Sequence, residues 1–447
     1  MRLHGTMCIN SKGHLEIGGC STVDLARKFG TPLYIMDEEH IREICRDYYN
    51  SFTRKYKNAL VIYASKAFLT LAMCKIIEEE GLGLDVVSGG EIYTALKADF
   101  PMEKIYFHGN NKSIEELELA LSNKIGRIVV DSFYELDLLD EIAKEKNIKQ
   151  KILIRVSPGI DAHTHEYIKT GQIDSKFGFP LETGQAKEAI HKALTKKNLE
   201  LVGIHCHIGS QIFELKSFEH TIDVMMNFAR EIYNLYSFVI KELNLGGGFG
   251  IYYTKEDTPV SIEAYADTIM NSVAQKASEL GLPKPKVIVE PGRSIVGTAG
   301  TTLYTIGAIK DIPNVRKYVS VDGGMVDNIR PALYQAKYEA MLANRALDKK
   351  EEVVSIAGKC CESGDMLIWD IELPVVKSGD LLAVSSTGAY CYSMSSNYNK
   401  IGRPAVVFVK DGQADLVVKR ESYEDLLRND IIPERLKDLK KLNKVAL

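Results

Sequence analysis

The sequence lacks the markers of a membrane or secreted protein. No apolar run approaches the roughly 20 residues that a membrane-spanning helix needs, and the amino end, Met1–Gly5, has no signal-peptide core. The eight cysteines are scattered and form no Cys-x-x-Cys pair, so they match neither a disulfide framework nor a zinc site. We therefore expect a protein of the reducing cytoplasm with no membrane partner.

The chain also has little excess charge, with a formal net charge of −4 over 447 residues. This near-neutral balance gives no reason to expect nucleic acid or an anionic membrane as a partner. Solenoid repeats and low-complexity stretches are absent as well. Because the length exceeds that of one ordinary domain, we expect a large α/β unit together with a second domain.

What the chain does contain, from Leu60 onwards, is a regular alternation of short apolar runs and helical patterns. The runs are Leu60–Ser65, Leu84–Val87, Lys104–Phe107, Arg127–Val130, Lys151–Val156, Leu201–Cys206, Glu242–Leu245 and Lys286–Val289. Eight strands that alternate with helices are the number that a closed (β/α)8 barrel needs, whereas a doubly wound sheet rarely repeats the unit eight times. The predicted fold class is therefore α/β, with a TIM barrel.

The segments on either side of the barrel are rich in strand signals. Two early runs, His14–Ile17 and Pro32–Met36, are strand candidates, and Asp37 is a suitable N-cap for the helix that follows. After the barrel, strand-like runs alternate with turns, including a hairpin turn at Asp411–Gly412, and one helical pattern remains near Gln335–Leu347. The predicted regions are 1–36, a β-rich segment that packs with the C-terminal domain; 37–295, the barrel; and 296–447, a mostly β domain resembling a sandwich or barrel.

Lys66 follows the first predicted barrel strand. One interpretation is a strand-end lysine whose head reaches solvent; the other is an amine in a partly apolar site, where a lowered pKa makes it a good Schiff-base nucleophile. The other strands also end in polar or glycine residues, and barrel enzymes place their sites at these ends. We therefore predict a site at this rim. The residues there are Asp85, Ser88, His108, Asn110, Asp131, Arg155, His205, His207, Gly246–Gly248, Glu290 and Arg293.

The glycine-rich turn Gly246–Gly250 follows the seventh predicted strand. Backbone amides without covering side chains can bind a phosphate, and in barrels the phosphate site commonly follows strands seven and eight. The turn does not fit the dinucleotide fingerprint in glycine spacing or in position. Its exposed backbone amides and its position after strand seven therefore predict a phosphate site that is not part of a dinucleotide-binding fold.

His205 and His207 point to the same side of their strand. A metal site is one interpretation, but a lone His-x-His without a carboxylate ligand nearby more often serves another role; a flat imidazole at the barrel mouth can also stack on a cofactor ring. A hydrogen-bonded core histidine fits His205 better than His207. Glu290, at the end of the eighth strand, needs a cationic or proton-donating partner, which is either Arg293 or the protonated ring nitrogen of a cofactor.

A lysine for a Schiff base, a glycine turn for a phosphate and a carboxylate for a ring nitrogen together describe pyridoxal phosphate. In these motifs, and over nearly its whole length, the chain resembles the diaminopimelate decarboxylase family. That family belongs to the alanine-racemase-like, fold-type III class of pyridoxal-phosphate enzymes, which have a barrel and a β domain. The matching segments are Tyr63–Ala67, Asp85–Glu91, His165–Gly171, Asp174–Gly178, His207–Gln211, Gly246–Gly250, Glu290–Arg293, Cys361–Asp365 and Gly388–Tyr390.

The resemblance implies roles for individual residues and no metal. Lys66 would hold pyridoxal 5'-phosphate as a Schiff base, His207 would stack on its ring, and Glu290 would keep its ring nitrogen protonated. The residues implied at the phosphate are Ser210, Gly247, Gly248, Gly292, Arg293 and Tyr390. The residues implied at the substrate are Arg293, Arg330 and Tyr334 for the distal carboxylate, Glu362 for the distal ammonium, and Tyr390.

The implied catalytic residues are Lys66, His207 and Cys361. Cys361 is similar to a residue that helps to reprotonate the carbanionic carbon, and in this family it comes from the partner subunit, which implies a homodimer with shared active sites. The doubled cysteine, Cys360 beside Cys361, leaves open which thiol reacts.

The resemblance implies decarboxylation of meso-2,6-diaminopimelate to L-lysine and CO2, the last step of lysine biosynthesis. The alternative is a related decarboxylase of ornithine, arginine or carboxynorspermidine, but the residues expected at the distal end suit a second amino-acid head better than a bare amine. The alternative outside the enzymes is a catalytically inactive binding or regulatory homologue, and the retention of Lys66 and Cys361 argues against it. A racemase fits less well, because Cys361 and Glu362 stand where the decarboxylases carry their catalytic pair.

Overall fold

The structure is a computed structural model that describes residues 1–160 and 175–437. The matching segment His165–Gly171 and the first residue of Asp174–Gly178 lie outside the described residues. None of the described helices is both long enough and apolar enough to cross a membrane.

The chain begins with a small antiparallel sheet. In order, the N-terminal elements are β1 (Cys8–Ile9), β2 (Leu15–Ile17), β3 (Cys20–Ser21), α1 (Thr22–Phe29), β4 (Leu33–Asp37) and α2 (Glu38–Tyr48), which continues into a π-helical turn (Tyr49–Arg54). The prediction that Asp37 caps α2 is confirmed, because its carboxylate accepts a hydrogen bond from the N–H of His40 at 3.2 Å. Ile41, Ile44 and Tyr48, spaced by three and four residues, are buried on one face of α2.

The eight predicted runs form a closed parallel barrel. In chain order its elements are β5 (Ala59–Ala64), α3 (Leu71–Glu79), β6 (Gly83–Val86), α4 (Gly89–Lys97), β7 (Ile105–Phe107), α5 (Ile114–Ser122), β8 (Arg127–Val130), α6 (Phe133–Glu145), β9 (Gln150–Ser157), β10 (Phe179–Pro180), α7 (Gln185–Thr195), β11 (Leu199–His205), α8 (Leu215–Tyr236), β12 (Glu242–Asn244), α9 (Ile262–Glu279), β13 (Lys286–Val289) and α10 (Arg293–Val296). Pairing of β13 with β5, and of β9 with both β8 and β11, closes the circle.

Apolar side chains fill both faces of the barrel wall, which is why its strands read as continuous apolar runs. Ile62, Tyr106, Val129, Leu153, Val202 and Ile288 form a buried cluster of their own. A much larger cluster joins the other faces of the strands to the surrounding helices. The packed barrel leaves the carboxyl ends of the strands as the place for polar side chains.

The remaining elements are mostly strands. They are β14 (Gly300–Ile312), β15 (Arg316–Val321), α11 (Arg330–Tyr334), β16 (Ala340–Leu342), β17 (Glu352–Ala357), β18 (Met366–Leu373), β19 (Leu381–Val384), β20 (Ala405–Lys410), β21 (Gln413–Val418), α12 (Tyr423–Leu427) and α13 (Glu434–Lys437). The sheet runs in the order β18-β17-β15-β14-β4-β20-β21. The early strand β4 is therefore an interior strand of this late sheet, antiparallel to β14 and parallel to β20.

Two local predictions in this region have opposite outcomes. The hairpin turn at Asp411–Gly412 is confirmed: both residues have positive φ angles, 50° and 77°, and they join β20 to β21. The prediction of a helix near Gln335–Leu347 is wrong. Its centre, Ala340–Leu342, is instead strand β16, which pairs with β19 and buries Ala340 and Leu342. Tertiary pairing overrides the local helical tendency there.

Candidate active site

Lys66 lies in a short 3-10 turn, Ser65–Ala67, directly after β5. Its side chain lines a cavity of about 500 Å³ together with His207, Arg293 and Tyr390. Its side chain is exposed to this cavity, whereas its neighbours Ser65 and Ala67 are buried. Lys66 therefore faces the interior of the barrel mouth, as the second of the two interpretations predicts.

The surroundings raise the pKa of Lys66 above its ordinary value. Burial lowers the pKa of the amine, but Asp85, Tyr390 and Glu290 outweigh burial because they favour the ammonium form. The lowered pKa predicted from the sequence is therefore wrong for this structure. The carboxylates responsible come from the ends of other strands, so the local sequence around Lys66 does not reveal them.

Glu290 ends the last barrel strand and is surrounded by hydrogen-bond donors. Asn244 Nδ2 donates to its Oε1 at 2.7 Å, and His108 Nε2 lies 2.8 Å from the same oxygen. His205 Nε2 lies 3.3 Å from Oε2. Burial raises the pKa of Glu290, but His108 and His205 hold it well below its usual range. Glu290 is thus a buried, ionised carboxylate.

The two histidines of the His-x-His pair have separate partners. Burial lowers the pKa of His205 to about 3, so that this ring donates to Glu290 as a neutral group. Burial also lowers the pKa of His207, which accepts the N–H of Gly247 at its Nδ1 at 3.2 Å. His108, His205 and Glu290 offer ligand atoms within 4.8 Å of one another, a spacing that suits a metal ion. The hydrogen bond between His205 and Glu290 and the close contact of His108 with Glu290 already account for this spacing.

The glycine turn has no space for side chains. A Cβ atom on Gly247 would lie 2.2 Å from the carbonyl oxygen of Glu290, and one on Gly248, whose φ is 101°, would lie 2.5 Å from that of Gly209. Gly292 is similarly close to Ala64, at 2.9 Å. The three glycines line one small chamber together with Lys66, Ser210, Glu290, Arg293 and Tyr390. This is a cradle that suits a phosphate group.

Arg293 does not pair with Glu290, which was the simpler of the two partners predicted for that carboxylate. Its Nε and Nη2 donate to Ser210 Oγ at 3.2 and 2.9 Å, and its Nη1 donates to Tyr253 Oη at 2.6 Å. The guanidinium carbon also lies 4.7 Å from the ring centroid of Tyr390. Arg293 is thus held between the phosphate cradle and the larger cavity.

Arg330 lines the larger cavity on the side away from the glycine turn. It donates to the hydroxyl of Tyr338, and its guanidinium carbon lies 4.8 Å from the ring centroid of Tyr253. Tyr334 lines the same cavity. Neither Arg330 nor Arg293 forms an ion pair with any carboxylate in the described part of the chain, although both are buried. Two buried cations without acidic partners indicate an anion-binding site.

Cys361 and Glu362 lie outside this cavity. They are exposed on the loop between β17 and β18, where the N–H of Cys361 donates to Asn399 Oδ1 at 2.8 Å. Burial and Asp365 raise the pKa of the neighbouring Cys360 to about 12, so this thiol remains protonated. The other residues predicted for the cofactor and the substrate line the two chambers. Of the wider set predicted at the rim, Asp85, His108, Asn110, Arg155 and His205 line a third chamber that also borders Lys66, His207 and Glu290.

Three buried residues at the site were not identified from the sequence: Asn244, Tyr253 and Tyr338. Asn244 gives a usable signal, because it is a polar residue at the end of a barrel strand, two positions before the first glycine of the turn. Tyr253 and Tyr338 give none. They gain their roles only through contacts with Arg293 and Arg330, which lie elsewhere in the sequence.

Comparison with known proteins agrees with this geometry. Residues 38–297 match the family described as pyridoxal-dependent decarboxylase, pyridoxal binding domain. The chain is 59% identical over 421 residues to a diaminopimelate decarboxylase of Bacillus methanolicus, covering 94% of this chain and 98% of that one. It is 57% identical over 431 residues to that of Bacillus subtilis, covering 96% and 98%.

Solved structures are similar as well. The diaminopimelate decarboxylase of M. jannaschii in complex with L-lysine has a TM-score of 0.90 at 40% identity, covering 96% of this chain and 99% of that chain. A lysine/ornithine decarboxylase of Vibrio vulnificus has a TM-score of 0.74 at 21% identity, a likeness of fold alone. The near-complete coverage by close relatives leads to one conclusion: the chain belongs to the diaminopimelate decarboxylase family of pyridoxal-dependent decarboxylases.

Proposed function

We propose that this chain is a pyridoxal-phosphate-dependent decarboxylase that converts meso-2,6-diaminopimelate to L-lysine and CO2, the last step of lysine biosynthesis. One observation carries the proposal: Lys66 shares its cavity with Arg293 and Arg330, two buried arginines that have no acidic partner among the described residues. Lys66 would hold the cofactor, and the two arginines beside it can bind a second anionic group. This arrangement suits a substrate with a carboxylate at each end.

The residues of the smaller chamber fit pyridoxal phosphate. Gly247, Gly248 and Gly292 exclude side chains where a phosphate would bind, and Ser210 and Arg293 supply donors beside them. When bound, the cofactor supplies an electron sink for the pair left behind as CO2 departs. Lys66 would attach to its aldehyde carbon.

Two further groups serve the ring of the cofactor. Glu290 would accept the N–H of the ring nitrogen, since the surrounding donors keep this carboxylate ionised. His207 would pack its neutral imidazole against the ring face, with its Nδ1 held by Gly247. Tyr390, whose ring lies against Arg293, would close the phosphate end.

The larger cavity would bind the rest of the substrate. Arg330, with Tyr334 and Arg293, would bind the distal carboxylate, for which a planar guanidinium is well suited. Tyr390 borders both chambers and would contact the substrate as well. A decarboxylase of ornithine, whose distal end is an amine, would have no use for these cations. The arrangement therefore favours diaminopimelate over the simple amino acids.

Cys361 and Glu362 would act in the site of a second subunit. Both are exposed and lie outside the cavity of their own chain, so an isologous homodimer can bring each pair to the neighbouring barrel. In that position Cys361 would deliver a proton to the carbon that has lost CO2, and Glu362 would bind the distal ammonium. We also propose a cytoplasmic location, which the eight free cysteines support.

The test is to measure release of CO2 and of the amine product from a panel of amino acids by the purified protein. We expect turnover of meso-diaminopimelate and little turnover of ornithine, arginine or carboxynorspermidine. Preferred turnover of one of these other substrates would move the assignment to that decarboxylase. Absence of turnover on the whole panel, with cofactor bound, would favour a non-catalytic homologue.

A further inference from the structure

Asn244 is the last residue of β12 and is fully buried between the glycine turn and Glu290. Its Oδ1 accepts the N–H of Gly246 at 3.0 Å, and its Nδ2 donates to Oε1 of Glu290 at 2.7 Å. Because a backbone N–H can only donate, the Gly246 contact fixes the amide in one orientation. The Nδ2 group must then face the carboxylate. One side chain thus connects the phosphate cradle to the acidic group of the site.

A second bond strengthens this connection. The N–H of Glu290 donates to the carbonyl oxygen of Gly246 at 2.8 Å. The carboxylate itself is contacted from three strand ends. Asn244 lies at the end of β12, His108 follows β7 and His205 ends β11. Of these three residues, Asn244 alone also binds the glycine turn.

We propose that Asn244 is a positioning residue for the cofactor, which fixes the glycine turn and the Glu290 carboxylate relative to each other. The inference rests on the proposed function, in which the phosphate of pyridoxal phosphate binds at this turn and its ring nitrogen binds at Glu290. Since the cofactor is rigid between these two points, both ends bind well only if the two protein groups keep their spacing.

The donated hydrogen bond has a second effect on Glu290. A carboxylate that accepts more hydrogen bonds is a weaker base. With Asn244 in place, Glu290 therefore leaves the proton on the ring nitrogen of the cofactor. Without this donor, the carboxylate competes more strongly for that proton.

The variant Asn244→Leu removes both bonds while nearly preserving the shape of the side chain. We expect its dissociation constant for pyridoxal phosphate, measured by reconstitution of the apoprotein, to rise at least about tenfold, as for the loss of a hydrogen bond to a charged group. The NMR signal of cofactor labelled at the ring nitrogen should also show deprotonation at a lower pH than in the unsubstituted holoprotein. Neither readout depends on turnover.

Asn198→Leu is the matched control. Asn198 also donates its Nδ2 to a carboxylate oxygen, Oδ1 of Asp140, at 3.0 Å. It precedes β11 and therefore lies at the opposite end of the barrel from the site. We expect Asn198→Leu to lower the thermal stability without changing cofactor affinity. An equal loss of affinity in this control would overturn the proposal, because the effect would then be a general destabilisation of the barrel.

Asn244→Asp tests the same idea in a variant that keeps the shape. Two adjacent carboxyl groups share one proton, so at about pH 6 the new group can still donate to Glu290, whereas at about pH 9 both groups are ionised and repel each other. Cofactor affinity should therefore be close to that of the unsubstituted protein at the lower pH and should fall at the higher one. The titratable or charged groups that face Glu290 are Lys66, Asp85, Tyr106, His108, Arg155, His205, Cys206 and His207. All of them are unchanged in the variant, so the unsubstituted protein is the reference at each pH.

The outcomes separate the two proposals. If Asn244→Leu binds cofactor with unchanged affinity and an unchanged ring-nitrogen signal, the inference is wrong and the proposed function stands. If Asn244→Leu does not fold, a pH-independent affinity in Asn244→Asp overturns the inference equally. If the unsubstituted protein binds no pyridoxal phosphate, the proposed function fails and the inference fails with it.

Discussion

Lys66 shows how a single residue takes its chemistry from distant parts of the chain. The sequence around it predicts a buried strand end, which is the position found. Its charge state depends instead on Asp85 and Glu290, which come from other strands. The position of a reactive group can therefore be predicted from a local pattern, whereas its pKa depends on neighbours that only the closed barrel brings together.

The first prediction is that Lys66 carries the cofactor. Borohydride should bleach the visible absorption band of the purified holoprotein, because it reduces a Schiff base to a stable amine. Peptide mapping should then find the adduct on Lys66. Lys112 is a useful internal comparison, since it is a buried lysine whose amine is paired with Glu135 at 2.7 Å. An adduct on any lysine other than Lys66 contradicts the assignment.

The second prediction concerns the rate at which the apoprotein takes up pyridoxal phosphate. Because the pKa of Lys66 is raised, the neutral amine that attacks the aldehyde becomes more abundant as pH rises. The rate constant for loading, followed by absorbance, should therefore increase with pH. In Asp85→Asn, which removes the carboxylate that raises this pKa most, the increase should occur at lower pH. Identical profiles for the two proteins would show that Asp85 does not control the amine.

The third prediction is that Arg330 serves the substrate and not the cofactor. Arg330→Ala leaves the distal carboxylate unpaired, a loss on the order of 2–5 kcal/mol for a buried charge pair. We expect kcat/KM for diaminopimelate to fall by about thirtyfold or more, while the cofactor band remains. Arg27→Ala, which removes an exposed arginine paired with Asp24 on α1, is the control and should leave kcat/KM unchanged. Near-normal turnover by Arg330→Ala would favour an amine-type substrate.

At the scale of elements, prediction succeeds where one kind of environment extends along a whole segment. Barrel strands such as β9 and β13 are buried on both faces, and their continuous apolar runs are therefore recognisable. The segment Ala340–Leu342 is different. Its strand pairing with β19 comes from residues far along the chain, and nothing in the local pattern indicates it. Asn244 lies at a recognisable strand end, but its partner Glu290 follows another strand, so the local pattern does not reveal the bond between them.

The fourth prediction tests the glycine turn as a single element. Gly247→Ala would place a Cβ atom 2.2 Å from the carbonyl oxygen of Glu290, so the turn must shift. We expect weaker binding of pyridoxal phosphate, measured by equilibrium titration of the apoprotein. Gly307→Ala in β14 adds the same methyl group where the nearest atom is 3.8 Å away, and it should bind as the unsubstituted protein does. Equal affinity in both variants would mean that the turn does not cradle the phosphate.

For the whole molecule, the position of Cys361 outside its own cavity leads to the fifth prediction. In a dimer with shared sites, Lys66→Ala and Cys361→Ala should each be nearly inactive. After subunits of the two variants exchange, a hybrid has one site with both lesions and one with neither. Activity should therefore return to roughly a quarter of the unsubstituted level, by random pairing in a two-fold dimer.

Subunit exchange must be demonstrated independently, for example by mass spectrometry of differently tagged chains. A mixture that contains hybrids but stays inactive would show that Cys361 serves its own chain. The exposure of the loop between β17 and β18 would then not be explained by a shared active site.

The regional boundaries at 36 and 295 remain a prediction for the whole molecule. The packing of the amino end supports them: Leu15 and Ile17 share a buried cluster with Leu33, Leu303 and Val407. We propose that residues 1–36 belong structurally to the C-terminal region. This is the packing predicted from the sequence, although the barrel separates these residues from their partners along the chain.

The interior place of β4 also bears on how the protein is made. This strand leaves the ribosome early, but its neighbour β20 is among the last strands to be synthesised. Until Ala405 and the residues after it emerge, one edge of β4 has no strand to pair with, and an open edge invites pairing with other chains. The barrel can form in the meantime, because all its strands lie between these two. A nascent chain that stalls before Ala405 would therefore combine a complete barrel with an unpaired strand edge near its amino end, which is prone to aggregation.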